Sequence, residues 1–256
     1  MLKSASRLAL GLAVTLVAGC TGAGGVGVPG GPFLGGGPLP LYTLAMTQID
    51  PETGNTSHKI VLDWPSALNA KNYEIQRKFG DQATRVLTTV STDSYTDATV
   101  GAGQAFTYTV RALSGDNKEQ TTSQPVAVTV LPAQVGKPTG LAPADNASIG
   151  VGEDPTFSWQ AVTGANWYYV RVVNGATDQV VWSALTKDAS IKFGAESPLK
   201  FDNFSDQFQV GSQSSITRGI VYRWTVSAIR GDNADLKQVK AVDVNPSAAQ
   251  KFSQGG

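Results

Sequence analysis

The sequence predicts an all-β protein in which two tandem antiparallel β-sandwiches follow a signal peptide and a Gly/Pro-rich linker. Three observations support this prediction. From Leu41 onward, short runs alternate apolar and polar residues with a period of two, which is typical of half-buried strands. Turn residues separate these runs, and no stretch keeps the three-to-four-residue apolar period of a helix. The second half of the chain also repeats the residue spacing of the first half.

The N-terminal residues have the composition of a signal peptide. Lys3 and Arg7 form a basic start, and residues 8–18 are all apolar or small. In a helix these residues would span about half of a ~30 Å hydrocarbon core, which is too short for a membrane-spanning segment. We therefore expect residues 1–19 to be removed during export.

Val17-Ala18-Gly19-Cys20 resembles the lipobox of bacterial lipoproteins, with Val in the position that is usually Leu. The resemblance implies that Cys20 carries a diacylglycerol and an acylated amino group, and two or three acyl chains would attach the protein to a membrane permanently. Thr21 stands where Asp would be associated with inner-membrane retention, so the resemblance favours the outer membrane. An ordinary secretory signal with a chance cysteine is the alternative.

Composition restricts the partners and the chemistry. Without residues 1–19 the chain has 18 basic and 20 acidic residues, so it offers no basic field for nucleic acid. Lipidation of the only cysteine would leave no disulfide. The only histidine, His58, has no second imidazole with which to form a metal site, and we expect it to be exposed and without function. We therefore predict no cofactor, no metal and no enzymatic activity.

The segment that follows Cys20 is rich in residues that resist ordering. Thr21 to Pro40 contains nine glycines and four prolines. Such a segment cannot bury enough apolar surface to offset the entropy of ordering it. We predict a flexible linker over residues 20–41 that holds the folded part away from the membrane.

An internal repeat sets the predicted domain boundaries. Trp64 and Tyr73 are nine residues apart, as are Trp159 and Tyr168. Further along, residues 103–112 align with residues 219–228. The repeat predicts domain 1 over residues 42–131, a short linker over 132–139, domain 2 over 140–246 and a frayed tail over 247–256.

These repeated residues resemble the fibronectin type III family, a seven-stranded antiparallel sandwich with a Trp in strand B and a Tyr-rich strand F. The resemblance implies that Tyr222 is the corner tyrosine of strand F in domain 2. Phe106 stands at that position in domain 1 and lacks the hydroxyl. Domain 2 is longer between strands B and F, and we place an insertion near residues 187–215.

Domain 2 offers a candidate binding face. If alternate residues of its strand C point inward, Trp167, Tyr169 and Arg171 point outward, and Arg223 on strand F joins them. Aromatic rings beside arginine suit stacking on sugars or anchoring a protein partner. The insertion or the other domain could instead cover this face. Phe201, Phe204 and Phe208 would form that cover or would themselves be a partner-binding loop.

Arg230-Gly231-Asp232 lies between strands F and G, where the integrin-binding tripeptide of fibronectin also lies. The tripeptide therefore marks a possible adhesion loop. Ordinary turn chemistry explains the same residues, since domain 1 has Ser114-Gly115-Asp116 there. The sequence as a whole predicts a lipid-anchored, non-catalytic envelope protein that acts as a protein interaction or assembly module. The alternative is a carbohydrate-binding or adhesion protein that uses the aromatic face of domain 2.

Overall fold

The computed structural model describes residues 33–34, 36–199, 204, 207–209 and 211–255. Cys20, the predicted signal peptide and most of the predicted N-terminal linker lie outside the described residues. Within those residues, no helix is long and apolar enough to cross a membrane.

Domain 1 is a sandwich of two sheets, as predicted. Strands A, B and E form one sheet: β1 (Tyr42–Ile49), β2 (Thr56–Asp63) and β5 (Ser94–Asp97). The strands of the other sheet are β3 (Asn72–Phe79, strand C), β4 (Arg85–Val90), β6 (Ala105–Leu113, strand F), β7 (Glu119–Thr122) and β8 (Val126–Thr129), of which the last two form strand G. They have the order β4-β3-β6-β7, with β8 also paired to β6. Alternate apolar residues such as Ile75 and Val110 fill the core between the sheets.

Domain 2 repeats this arrangement with smaller B and E strands. β10 (Thr156–Ser158) pairs with β13 (Ser190–Lys192), and this sheet faces β11 (Trp167–Asn174), β12 (Val180–Thr186) and β14 (Val221–Gly231). The other edge of β14 carries β15 (Ala241–Pro246) and then β16 (Gln250–Gln254), which together form strand G of this domain. β9 (Ala147–Ile149) lies beside β16, and a short 3₁₀ helix, Leu236–Gln238, precedes β15.

The Trp and Tyr residues of the repeat have the same role in both domains. The ring centroids of Trp64 and Tyr73 are 5.4 Å apart, and those of Trp159 and Tyr168 are 5.2 Å apart. Each tyrosine hydroxyl accepts a hydrogen bond of 2.8 Å from the backbone N–H six residues upstream. The nine-residue spacing therefore marks a structural unit that closes the loop between strands B and C.

Tyr222 is the corner tyrosine that the resemblance implies. Its hydroxyl accepts a hydrogen bond from the backbone N–H of Thr217 at 2.9 Å. In domain 1, Phe106 cannot do this, and the equivalent N–H of Gly101 donates to the side-chain Oε1 of Gln104 at 2.7 Å. Domain 1 therefore satisfies the same backbone group with a side chain from the loop.

The predicted frayed tail is wrong, because residues 250–254 form β16. Phe252 is almost fully buried in the core of domain 2. Ser247 interrupts strand G: its Oγ accepts from the N–H of Val226, and its N–H donates to the Val226 carbonyl. Ser123 makes the same two bonds to Val110 in domain 1. The repeat therefore includes the last strand of each domain.

Two of the predicted boundaries also move. Phe33 and Leu39 belong to the core of domain 1, so the C-terminal part of the predicted linker 20–41 is part of that domain. β13, residues 190–192, lies within the predicted insertion near 187–215, so the extra chain of domain 2 begins after it. Both segments are too short to show a clear period-two alternation, so the sequence did not indicate that Phe33 and Leu39 belong to domain 1 or that residues 190–192 form a strand.

A continuous sheet joins the two domains. β1 pairs with β2 on one edge and runs parallel to β15 on the other, with Ala45 opposite Ala241 and Met46 opposite Val242. Strand A of domain 1 and strand G of domain 2 would otherwise be open sheet edges. Pairing them satisfies both rows of backbone groups and fixes the relative orientation of the domains.

The linker 132–139 is held in place by Asp243 of β15. The fully buried carboxylate oxygen Oδ2 of Asp243 accepts hydrogen bonds from the N–H groups of Gln134 at 2.7 Å and Val135 at 2.8 Å. Asn245 adds a hydrogen bond from its side-chain amide to the Val135 carbonyl. The linker therefore has little freedom of its own.

Candidate functional site

The predicted aromatic face of domain 2 is covered. The alternation of β11 is as predicted, with Tyr168, Val170 and Val172 in the core of domain 2. Trp167, however, has 0% of its surface exposed, so the prediction that it is available to a ligand is wrong. It belongs to a third apolar cluster, formed by the outer side of the continuous sheet and by the insertion. Its buried members are Leu44, Met46, Val61, Trp167, Leu185, Phe204, Phe208, Ile229, Val239, Val242 and Val244.

The insertion supplies the cover. The rings of Phe208 and Tyr169 meet edge to face with their centroids 5.3 Å apart, and the Tyr169 hydroxyl donates to the Gln209 carbonyl. Burial raises the pKa of Tyr169. Lys59 of domain 1 donates to Oε1 of Gln207 at 2.6 Å, so the insertion contacts both domains. Phe204 is also buried there, whereas Phe201 lies outside the described residues.

Arg171 and Arg223 do come together, as predicted, but without an aromatic ring. They line a shallow cleft of about 100 Å³ with Val173, Thr225 and Ala249. Arg223 also forms an ion pair with Asp178. The cleft lacks the flat apolar surface on which a sugar ring would stack.

The predicted adhesion tripeptide is part of the domain junction. Nη2 of Arg230 donates to the Pro132 carbonyl at 2.8 Å and lies 3.4 Å from Oδ2 of Asp243. Gly231 is the last residue of β14, and a Cβ there would lie 2.6 Å from the Trp167 ring. The glycine is therefore required by close packing, and Arg230 is not presented as an adhesion loop would present it.

The backbone around Asp232 is also occupied. Its carboxylate accepts a hydrogen bond of 3.0 Å from the N–H of Lys240, and its own N–H donates to the Ala241 carbonyl at 3.0 Å. These bonds close the turn between strands F and G. Turn chemistry therefore accounts for Asp232, whereas Arg230 and Gly231 belong to β14 and contact the domain junction and Trp167.

His58 is half-buried, so the prediction that it is exposed is wrong. Its Nδ1 lies 2.9 Å from Oγ1 of Thr47. The Thr47 hydroxyl donates its proton to the Leu131 carbonyl, so it accepts from His58. The imidazole therefore supports the end of domain 1 beside the linker.

The described residues contain no group of three or more His, Cys, Asp or Glu side chains that could hold a metal ion. A cleft of about 440 Å³ lies between the 3₁₀ helix and the insertion, with Leu199, Leu236 and Lys187 in its wall. It brings together two lysines and one aspartate on a largely apolar surface. This combination does not provide an activated nucleophile with a general base.

The equivalent face of domain 1 is partly exposed to solvent, with side-chain exposures of 34% for Arg111, 17% for Glu74 and 46% for Glu119. Nη1 of Arg111 lies 2.7 Å from the Glu74 carboxylate, and Nε lies 2.8 Å from that of Glu119. Gln76 donates to Glu74 at 2.8 Å. At the neighbouring edge strand β4, Val86 pairs with Gln76 and is 54% exposed. We call these five residues the open face of domain 1.

Hydrogen bonds to Glu119 and Glu74 raise the pKa of Arg111. Hydrogen bonds from Thr122 and then Arg111 lower the pKa of Glu119. The charges of Arg111 and Glu119 therefore persist through the physiological pH range. Period-two alternation along β3 places Glu74 and Gln76 on this side of the strand, but it does not indicate that an insertion covers part of the domain 2 face alone.

No family model matches the chain, and no curated protein matches it. Among solved structures, it is similar to the FN1–FN3 domains of chicken CNTN1, with 16% identity and a TM-score of 0.35. That alignment covers 82% of this chain, which spans 65% of the other one. A cytokine receptor complex is similar at 12% identity and a TM-score of 0.33, with 85% of this chain and 97% of that chain covered. The strand pairing within each half shows the β-sandwich fold class that the sequence predicted.

Proposed function

We propose that this protein is a lipid-anchored, non-catalytic envelope protein that offers the open face of domain 1 to a protein partner. The observation that carries the proposal is the asymmetry between the two sandwiches. Domain 2 covers the outer side of its strand C at Trp167 and Tyr169 with its own chain, through Phe208 over Tyr169. Domain 1 has no equivalent insertion, and its strand C remains accessible beside the edge strand β4.

The chemistry of the open face suits a protein surface. Val86 provides an apolar contact at the edge, and Arg111 lies between two carboxylates with its guanidinium held in place. An arginine that is already ordered loses little side-chain entropy on binding. The rigid junction of the domains also reduces the entropy lost on binding, because the two domains do not have to be ordered relative to each other when the partner binds.

Cys20 supplies the anchor in this proposal. The support is the lipobox resemblance at residues 17–20 and the short apolar segment before it. The absence of Asp after Cys20 favours the outer membrane. The glycan alternative loses its main support, because the Trp167 ring is buried.

Crosslinking in intact cells tests the binding surface. A photoreactive amino acid is placed at Gln76 or at Thr109, which lie opposite each other on β3 and β6. Arg171 and Thr225 occupy the equivalent register on β11 and β14 and serve as matched controls. We expect a crosslinked protein from the two domain 1 positions and little from the two domain 2 positions. Equal crosslinking from both domains, or none from domain 1, contradicts the proposed surface.

Mass spectrometry of the protein from an envelope fraction tests the anchor. We expect an N-terminal peptide that begins at Cys20 and carries the mass of two or three acyl chains. A Cys20→Ser variant should lose this mass and leave the membrane fraction, whereas Thr21→Ser should keep both. An unmodified Cys20 in the membrane-bound protein would refute the anchor.

A further inference from the structure

The end of domain 1 where the described chain begins carries two exposed leucines. Leu34 is 73% exposed and Leu68 is 50% exposed. Phe33 pairs in parallel with Ala67, and the N–H of Leu68 donates to the Phe33 carbonyl at 3.0 Å. The two leucines are therefore neighbours on adjacent segments, and the backbone holds them together.

Their exposure follows from the pairing. Phe33 and Ala67 are buried in the core of domain 1. Leu34 directly follows Phe33, and Leu68 lies in a turn in which the Ala70 N–H donates to the Ala67 carbonyl at 3.1 Å. Each leucine therefore lies at the surface while the residue before it stays in the core. The local structure thus fixes an apolar pair in solvent.

The leucine pair lies close to the proposed membrane anchor along the chain. Twelve residues separate Cys20 from Phe33, and the thirteen steps between them span at most about 47 Å. Among the described residues, Leu34 is the exposed large apolar residue nearest to Cys20 along the chain, and Leu68 lies beside it. A tether converts a weak contact into an intramolecular one with an effective concentration of order millimolar.

We propose that Leu34 and Leu68 dock against the lipid surface and so orient the folded body on the membrane. This inference rests on the proposed lipid anchor at Cys20. The open face of domain 1 lies on the side of the sandwich, whereas the leucine pair lies at its end. If that end docks on the membrane, the open face points sideways, along the membrane surface. A partner attached to the same membrane can then reach it.

The charged residues near the leucine pair nearly cancel, so the proposed contact with lipid depends on its apolar side chains. Lys71 is exposed in the same loop as Leu68, and the Asp93 carboxylate accepts from Ser66 beside it. One cation and one anion provide little net attraction for an anionic surface. We therefore expect docking to change little between zwitterionic and anionic vesicles, or between low and high salt.

The test uses the protein attached to nanodiscs that contain a lipid with a nitroxide headgroup. The chain from Cys20 onward contains all the described structure, and its only thiol is coupled to a maleimide lipid. Coupling in vitro makes the result independent of cellular lipidation. If mass spectrometry finds no lipid on Cys20 in cells, the proposed anchor fails, whereas this experiment reports on docking alone.

Paramagnetic broadening of backbone amide signals is the readout. We expect the amides of Leu34 and Leu68 to be broadened more than those of Val151 and Val221, exposed apolar residues of domain 2. The double variant Leu34→Ser/Leu68→Ser should lower the ratio of docked to undocked protein by about tenfold or more, because two apolar contacts are lost. The control Val151→Ser/Val221→Ser should leave the broadening unchanged. An unchanged gradient in the leucine variant, or equal broadening at all four valine and leucine positions, overturns the proposal.

Discussion

Domain 1 and domain 2 fill one equivalent region of their cores with different chemistry. In domain 1, Arg77 of strand C lies opposite Tyr108 of strand F, and both contact Asp97 of strand E. Nη1 of Arg77 is 2.6 Å from the Asp97 carboxylate, and the Tyr108 hydroxyl donates to it at 2.8 Å. The carboxylate is fully buried.

Domain 2 has Val172, Trp224 and Phe193 at the corresponding positions. Val172 and Trp224 are opposite each other on strands C and F, as Arg77 and Tyr108 are. The Trp224 and Phe193 rings pack around Phe157, with centroids 4.7 Å and 6.4 Å from it. The same fold thus accepts either an ion pair or an aromatic cluster at this place.

The difference shows what each solution requires. The Asp97 carboxylate is tolerated because Thr99 donates to it with both its N–H and its hydroxyl, in addition to Arg77 and Tyr108. Buried charges are acceptable only when such partners are complete. The aromatic cluster requires no partners but depends on shape and volume. The two domains should therefore respond differently to mutation and to pH.

Asp97→Asn should have the largest effect. It leaves the Arg77 cation buried without a counter-charge, and breaking a buried pair in this way costs about 3–5 kcal/mol. The free energy of unfolding from urea titrations measures the cost, and hydrogen exchange of the Ile75 and Val110 amides locates it in domain 1. Asp116→Asn, at an exposed ion pair with Lys118, should change neither measurement.

A graft sharpens the comparison. The triple variant Arg77→Val/Asp97→Phe/Tyr108→Trp gives domain 1 the residues of domain 2. Because no uncompensated charge remains, it should be destabilised less than Asp97→Asn alone. If the triple variant loses more unfolding free energy than Asp97→Asn, domain 1 requires the ion pair itself, and removing both charges together does not restore its stability.

Phe252→Ala should destabilise domain 2 by about 3–5 kcal/mol, as is usual when a buried phenylalanine is truncated. Phe252 lies opposite Tyr222, and Val128 lies opposite Phe106 at the equivalent place in domain 1. Val128→Ala should cost less, because a smaller side chain leaves a smaller cavity. Both are measured by urea unfolding. Equal stability of wild type and Phe252→Ala would mean that the last strand does not support the core.

Acid should weaken domain 1 through Asp97. Burial raises the pKa of Asp97, but hydrogen bonds from Thr99, Tyr108 and Arg77 together hold it below the ordinary 3.8. Because the folded-state pKa is lowered, its stabilisation is present above about pH 4 and is lost as pH falls through the folded value. The difference in unfolding free energy between wild type and Asp97→Asn should therefore shrink as pH falls from 5 to about 2. A constant difference across this range would contradict the ion-pair interpretation.

The corner hydrogen bonds should have the smallest effect. Tyr222→Phe removes the acceptor for Thr217, and Gln104→Ala removes the acceptor for Gly101. Each should cost about 1 kcal/mol in urea unfolding, the usual value for a hydrogen bond. Phe106→Tyr should stabilise domain 1 only when Gln104 is also replaced, because Gly101 already has a partner. Stabilisation by Phe106→Tyr alone would contradict the equivalence of the two acceptors.

The sequence predicted the sandwiches because their signals are local. The spacing of Trp64 and Tyr73 recurs in domain 2, and the alternation along β11 predicted which of its side chains enter the core. The frayed-tail prediction failed because residues 247–256 are polar apart from Phe252 and a few alanines. The shared position of Ser123 and Ser247 before the last strand was the signal that could have identified it.

By itself, the sequence determined the fold class, the repeat and the inward face of β11, since period-two alternation depends only on neighbouring residues. The tertiary structure alone decided what lies on the outward faces. Trp167 is buried because β1 joins β15 and because Phe208 packs over the sheet, and both contacts join residues far apart in the chain. Alternation separates the two faces of a strand, but whether the outer face meets water or protein depends on long-range packing.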